Sequence, residues 1–103
     1  MIAANPLRGE AAIEVAGITH VLRPTFSALV AAEEELGPLI ALVERAGAGQ
    51  LRLAEMATLF WHCLTGEHNL TRDAVGEAIS TKGLATCTAP LRMLLSQILK
   101  GSG

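Results

Sequence analysis

The fold is decided by residues 10–23, which read EAAIEVAGITHVLR. Apolar and polar side chains alternate on both sides of Ala16–Gly17, and this alternation predicts a β-hairpin. With a two-residue turn, one face of the hairpin is apolar except for a single histidine and carries Ala11, Ile13, Val15, Ile18, His20 and Leu22. Ala-Gly is a weaker turn signal than Asn-Gly, so a one-residue bulge stays open. A two-stranded hairpin is barely stable in water, and its apolar face is therefore expected to pack on helices.

Five helical stretches follow the hairpin. Their apolar residues recur at helical spacing, and Gly, Pro and Thr separate them. The predicted helices span about 26–36, 38–46, 53–65, 72–82 and 89–100. Thr25, Thr71 and Thr88 are the predicted N-caps. This order of elements predicts an α+β fold in which an N-terminal β-hairpin packs on a bundle of about five short helices.

The chain is expected to form one domain over residues 10–100, with a flexible arm at 1–9 and a frayed tail at 101–103. The helix at 53–65 has the widest apolar face and is predicted to be the central one, with His62 facing solvent. The predicted core joins one face of the hairpin to the stripes of the first and third helices and consists of Ile13, Val15, Ile18, Leu22, Phe26, Leu29, Val30, Leu36, Met56, Phe60, Cys63 and Leu64.

Glu33 is the one acidic residue that falls inside the apolar stripe of the first helix. A carboxylate buried in such a stripe needs a polar partner. Arg23 or a backbone N–H group would provide that contact. The alternative is that the stripe frays near the end of the helix and leaves Glu33 half exposed.

The last helix has the cleanest apolar stripe of the chain, formed by Leu91, Leu94, Leu95, Ile98 and Leu99. Core packing is one use of such a stripe. Binding of a partner protein, or association into a homo-oligomer, is the other use. These five residues are therefore the candidates for a partner-binding surface.

The composition argues against nucleic-acid and membrane partners. The formal net charge is −2, no Lys/Arg cluster exists, and aromatic residues make up only 3% of the chain. Mean hydropathy is +0.41, yet no apolar run approaches the roughly 18–20 residues that a membrane-spanning helix needs. The first residues lack the basic region and apolar stretch of a signal peptide. The sequence thus predicts a cytoplasmic protein.

Two cysteines and three histidines raise the question of a metal or catalytic site. Zinc sites use close-spaced pairs of ligands, whereas His62, Cys63, His68 and Cys87 contain no C-x-x-C or H-x-x-x-H pair. A nucleophilic Cys63 would need a base such as His68 or Glu67 beside its thiol, and nothing in the sequence specifies that proximity. We therefore expect free thiols, no metal ion, no cofactor and no enzymatic activity.

Three stretches carry a family likeness. They are RGE at 8–10 with AGITHVLR at 16–23, FSAL at 26–29 continuing through Glu33 to LG at 36–37, and LTG at 64–66 followed by LTRDAV at 70–75 and the Leu-rich last helix. Together they resemble the small tail proteins of gene transfer agents and siphophage-like tails, in particular the tail assembly chaperones, which are also labelled tail tube proteins. The chain differs from this family in having Ala16–Gly17 where a Gly-Gly turn is usual, and Trp61–His62–Cys63 where basic residues are more common.

The resemblance implies a protein that binds the tape-measure protein in the cytoplasm of a bacterial host cell, keeps it soluble and helps the tail tube assemble around it. The tail tube protein would be a second partner. A structural subunit of the tube is the alternative, although tube subunits need extended strands that join neighbours, and this chain has one hairpin. A small cytosolic interaction domain of unrelated role is the second alternative, and a small enzyme or metal-binding domain is a further rival.

Overall fold

Two strands followed by five helices make up the protein, and this confirms the α+β class. The computed structural model describes residues 10–65 and 69–100. The predicted arm at 1–9 and the frayed tail at 101–103 lie outside those residues, as do Glu67 and His68. The elements are β1 (Ala11–Val15), β2 (Ile18–Leu22), α1 (Phe26–Leu36), α2 (Leu39–Gly47), α3 (Leu53–Cys63), α4 (Arg72–Lys82) and α5 (Thr88–Lys100).

The hairpin turns on Ala16 and Gly17 without a bulge. Both residues have positive φ, 52° for Ala16 and 81° for Gly17, which is the pattern of a type I′ turn. The strands pair in the predicted register: Ala11 with Leu22, Ala12 with Val21, Ile13 with His20, Glu14 with Thr19 and Val15 with Ile18. Gly17 adopts this conformation at no steric cost, whereas Ala16 is strained by it.

The chain leaving α3 runs antiparallel beside β2 and extends the hairpin. Arg23 donates its backbone N–H to the carbonyl of Cys63 at 2.7 Å. Thr65 donates both its backbone N–H, at 3.2 Å, and its hydroxyl, at 3.1 Å, to the carbonyl of Val21. These sheet-like contacts end α3 at Cys63 rather than at the predicted residue 65.

Threonine side chains cap two of the helices as predicted. The hydroxyl oxygen of Thr25 accepts the N–H of Ala28 at 3.2 Å at the start of α1, and that of Thr71 accepts the N–H of Ala74 at 3.0 Å at the start of α4. Thr88 was predicted to cap the last helix, but it is the first residue of α5. Its hydroxyl donates to a carbonyl in the preceding turn at 2.7 Å, and the cap prediction for Thr88 was therefore wrong.

The core is built around α3, which packs against both α1 and α4, while α5 packs on β1 and α2. Five residues of α3 are buried: Met56, Ala57, Leu59, Phe60 and Cys63. The other elements contribute buried apolar side chains that include Ile13, Val15, Leu22, Leu42, Val75, Ile79 and Leu94. Three of the predicted core residues are partly buried: Leu29, Leu36 and Leu64.

Three residues predicted to lie in the core are exposed instead: Ile18 by 62%, Phe26 by 84% and Val30 by 37%. Ile18 is exposed because the helices pack on β1 and leave the turn end of β2 uncovered. In α1 the buried residues are Ala28 and Ala32. Their small side chains let α1 lie close to its neighbour, and this rotates Phe26 and Val30 away from the core.

Candidate partner-binding surface

The predicted partner-binding stripe on α5 is mostly part of the core. Leu91 and Leu94 are buried, and Leu95 and Ile98 are partly buried. Only Leu99, which is 61% exposed, offers a largely open apolar side chain. Because α5 packs on β1 and α2, the prediction of core packing is confirmed for Leu91 and Leu94, and we correct the prediction that all five residues form a partner-binding surface.

The most exposed apolar side chain of the described chain lies instead at the start of α1. Phe26 is 84% exposed, and Val30, one turn later, is 37% exposed. Glu34 follows at the same four-residue spacing and is also exposed. We call these three residues the α1 strip. The sequence held a signal for it, since Ala28 and Ala32 define an alternative buried face at helical spacing.

The C-terminal end of the α1 strip is acidic. Glu33, Glu34 and Glu35 occupy the last turn of α1, which contains no basic residue. Glu33 is exposed, and its carboxylate accepts the N–H of Leu39 at 3.1 Å, which caps the start of α2. The prediction of a buried Glu33 in contact with Arg23 was therefore wrong. Glu33 is exposed, as the alternative of a frayed stripe predicted, and its polar partner is a backbone N–H group.

Arg23 pairs with a different carboxylate. Its Nε lies 2.6 Å from an oxygen of Glu10, whose side chain is 2% exposed. The two residues flank the hairpin at its open end, and their ion pair joins the start of β1 to the residue after β2. Sequence reasoning missed Glu10 because a carboxylate at the end of a strand is ordinarily solvated.

A polar cluster ties α1, α3 and α4 together. Glu35 accepts two hydrogen bonds from the guanidinium of Arg72, and its carboxylate lies 2.9 Å from Nε2 of His62. The guanidinium of Arg72 also lies 4.7 Å from the centre of the Trp61 ring, a distance suited to a cation–π contact. Trp61 donates its indole N–H to the carbonyl of Leu70 at 2.8 Å.

This cluster corrects the prediction that His62 faces solvent. The His62 side chain is only 11% exposed, because α1 brings Glu35 over that side of α3. The hydrogen bonds from Arg72, and then the one from His62, hold the pKa of Glu35 below its ordinary value. Glu35 is thus compensated by neighbours, whereas the side chain of Glu34 makes no ion pair or hydrogen bond with the described residues.

The cysteines offer little chemistry. Cys63 and Cys87 are free and buried. Burial raises the pKa of the Cys63 thiol to about 12, and it also raises the pKa of Cys87, although nearby Lys82 opposes that shift. Within residues 10–65 and 69–100, no three His, Cys, Asp or Glu side chains come close enough together to hold a metal ion. The two residues that were considered as a base for Cys63 are His68 and Glu67, and both lie outside the described residues.

A second surface feature lies between the hairpin turn and α4. It is an open groove of about 450 Å³ whose walls include Ala16 and Gly17 on one side and Ala78 on the other. The ammonium group of Lys82 lies 3.1 Å from a carboxylate oxygen of Glu14 and spans the two walls. This ion pair joins α4 to the outer face of β1.

Among the described residues, no helix is both long and apolar enough to span a membrane.

The comparison with known families places the chain in the class of phage and gene transfer agent tail proteins. Within that class it belongs to the family described as "Phage tail tube protein, GTA-gp10", whose model matches residues 8–101. Searches of curated proteins and of solved structures gave no match.

Proposed function

We propose that this chain is a tail assembly chaperone that binds the tape-measure protein and assists assembly of the tail tube. The observation that carries the proposal is the exposure of large apolar side chains on a mainly helical domain. Phe26 is 84% exposed, Ile40 69% and Leu99 61%. Single exposed apolar side chains are common on protein surfaces, but an exposed aromatic ring such as that of Phe26 is the kind of anchor through which a helical partner is bound.

The family supports a role in a phage-like tail, and the strand content favours a chaperone over a tube subunit. A tube built from a sheet needs strand edges that join one subunit to the next. The described chain has two strands of five residues each, and the contacts made by residues 63–65 already occupy one end of the outer edge of β2. Little unpaired strand edge therefore remains in the described chain for joining neighbouring subunits into a ring.

A structural subunit of the tail tube is the second candidate, and the description of the family as a phage tail tube protein favours it. Such a subunit would remain in the finished particle. A chaperone would act before completion and leave. The two candidates therefore differ in where the chain is found after assembly.

The proposed role involves binding without catalysis. A thiol with a pKa near 12, such as that of Cys63, stays protonated at neutral pH and is a poor nucleophile. With a net charge of −2, the chain is also a poor ligand for nucleic acid. Its proposed partners are proteins.

Co-expression tests the proposal. A candidate tape-measure protein from the same genome is produced alone, with this chain, and with an unrelated small helical protein as the control. We expect this chain to raise the soluble fraction of the tape-measure protein and to purify with it. An unchanged soluble fraction and no co-purification would refute the chaperone role.

A further inference from the structure

We propose that the α1 strip, formed by Phe26, Val30 and Glu34, is the docking site for an amphipathic helix that carries apolar residues followed by a Lys or Arg. The inference rests on the proposed function, in which the chain binds a helical partner, and it adds the surface and the chemistry of that contact. Its basis is the exposure of the two apolar side chains and the charge of Glu34, which no side chain in residues 10–65 and 69–100 compensates.

The geometry of the α1 strip suits a helix. Its members lie at four-residue intervals, so they form one ridge along the outer side of α1. Phe26 and Glu34 are eight positions apart in the sequence, which corresponds to about 12 Å along the helix. The opposite side of α1, with Ala28 and Ala32 buried, is already packed in the core. The ridge is thus held on a rigid element with its outer side open.

Phe26 has the properties of an anchor. The chain contains only two phenylalanines and one tryptophan, and the other phenylalanine, Phe60, is fully buried. Leaving an aromatic ring 84% exposed gives the free protein no packing benefit. Aromatic side chains dominate the energetics of many interfaces when a partner pocket encloses them. Val30 continues the apolar contact by one turn.

Charge complementarity identifies the partner. The C-terminal end of a helix carries partial negative charge and is stabilised by nearby cations, yet α1 ends with Glu33, Glu34 and Glu35. Arg72 and His62 compensate Glu35, and Glu33 caps α2. Within the described chain, Glu34 alone of the three has no compensating contact. A Lys or Arg from the partner would supply it.

The test uses variants of the 103-residue chain and the co-expressed tape-measure protein as the probe. Phe26→Ser removes the anchor, and Glu34→Lys reverses the charge. Leu84→Ser and Glu77→Lys are the matched controls, since Leu84 is 52% exposed between α4 and α5 and Glu77 is exposed on α4. All four positions are exposed, so no variant is expected to melt below the wild type, and circular dichroism checks this. Glu34→Lys should melt at or slightly above the wild-type temperature, because a cation stabilises the C-terminal end of α1.

We expect Phe26→Ser to weaken binding by roughly 30-fold, as loss of an aromatic anchor does. Glu34→Lys should weaken binding by about 10-fold. Added salt should weaken the binding of the tape-measure protein to the wild type more than its binding to Glu34→Gln. Leu84→Ser and Glu77→Lys should bind like the wild type. Among overlapping peptides of the tape-measure protein, those retained should be amphipathic and carry Lys or Arg.

Three results would overturn the inference. If the wild type binds the tape-measure protein and the strip variants bind equally well, or if the retained peptides are acidic, the docking site is wrong while the proposed function stands. If the wild type does not bind the tape-measure protein, the proposed function fails and the inference fails with it. If Phe26→Ser instead abolishes self-association of the free chain, a second copy occupies the α1 strip.

Discussion

Replacing Ala16 with Asn should stabilise the protein, and the size of the gain follows from the turn. Ala16 has a φ of 52°, and this left-handed conformation costs an L-residue other than Gly roughly 1–2 kcal/mol. Asn tolerates it, and Asn-Gly is the preferred pair for a type I′ turn. Because the side chain of Ala16 is exposed, no core packing is lost. We expect a gain of about 1 kcal/mol, which raises the Tm of a domain of this size by roughly 4–8 °C.

Urea unfolding and calorimetry measure this gain. Ala12→Asn is the control, because Ala12 is exposed in the middle of β1, where Asn is disfavoured and no left-handed strain is present to relieve. The control should leave stability unchanged or lower it. An Ala16→Asn variant with the same or a lower midpoint would show that Ala16 is not left-handed, and the two-residue turn with its register would then be wrong.

Three further predictions concern the core, the polar cluster and the buried thiol. Phe60→Ala should lower the free energy of unfolding by about 3–5 kcal/mol, and Phe26→Ala should lower it by less than about 0.5 kcal/mol. Urea unfolding measures both losses, and equal losses would contradict the orientation of α1. Because the hydrogen bonds from Arg72 and then His62 hold the pKa of Glu35 below its ordinary value, the charged carboxylate stabilises the fold fully above that ordinary value, and this contribution is lost as the pH falls through the lowered pKa. Acid should therefore destabilise the wild type more steeply than Glu35→Gln, and parallel pH profiles would refute the contact. Cys63 should resist iodoacetamide at about pH 8 in the native protein and react in urea, whereas native alkylation seen by mass spectrometry would contradict its burial.

The hairpin could be predicted in detail because its determinants are local. Alternation between Ala11 and Leu22 sets which side chains share a face, and a two-residue turn fixes the register. The caps at Thr25 and Thr71 are local in the same sense, since each hydroxyl binds an N–H group three residues later. Such patterns are determined by a few neighbouring residues and need no knowledge of the tertiary fold.

The sequence offers two candidate buried faces for α1, and it does not decide between them, because the rotation of α1 depends on how closely two helices approach. A helical wheel gives weight to large apolar residues and therefore placed Phe26 and Val30 inside. In the protein, the small side chains of Ala28 and Ala32 allow a close approach to the core. The packing between helices, which the sequence does not encode locally, decided which face was buried.

The polar contacts were missed for a related reason. Glu10 and Arg23 are 13 residues apart, and Glu35 and Arg72 are 37 apart. Several basic residues could reach each carboxylate in a sequence of unknown fold. Only the tertiary arrangement selects the pairs, and it also converts His62 from a predicted solvent-facing residue into a member of the cluster.

The proposal that the chain is an assembly chaperone is tested most directly by quantitative mass spectrometry of assembling cells and of purified particles from the same culture. We predict that the chain purifies with the tape-measure protein from assembling cells and is absent from finished particles. If purified particles instead contain as many copies of the chain as a tube of stacked rings requires, the account is contradicted and the chain is a tube subunit.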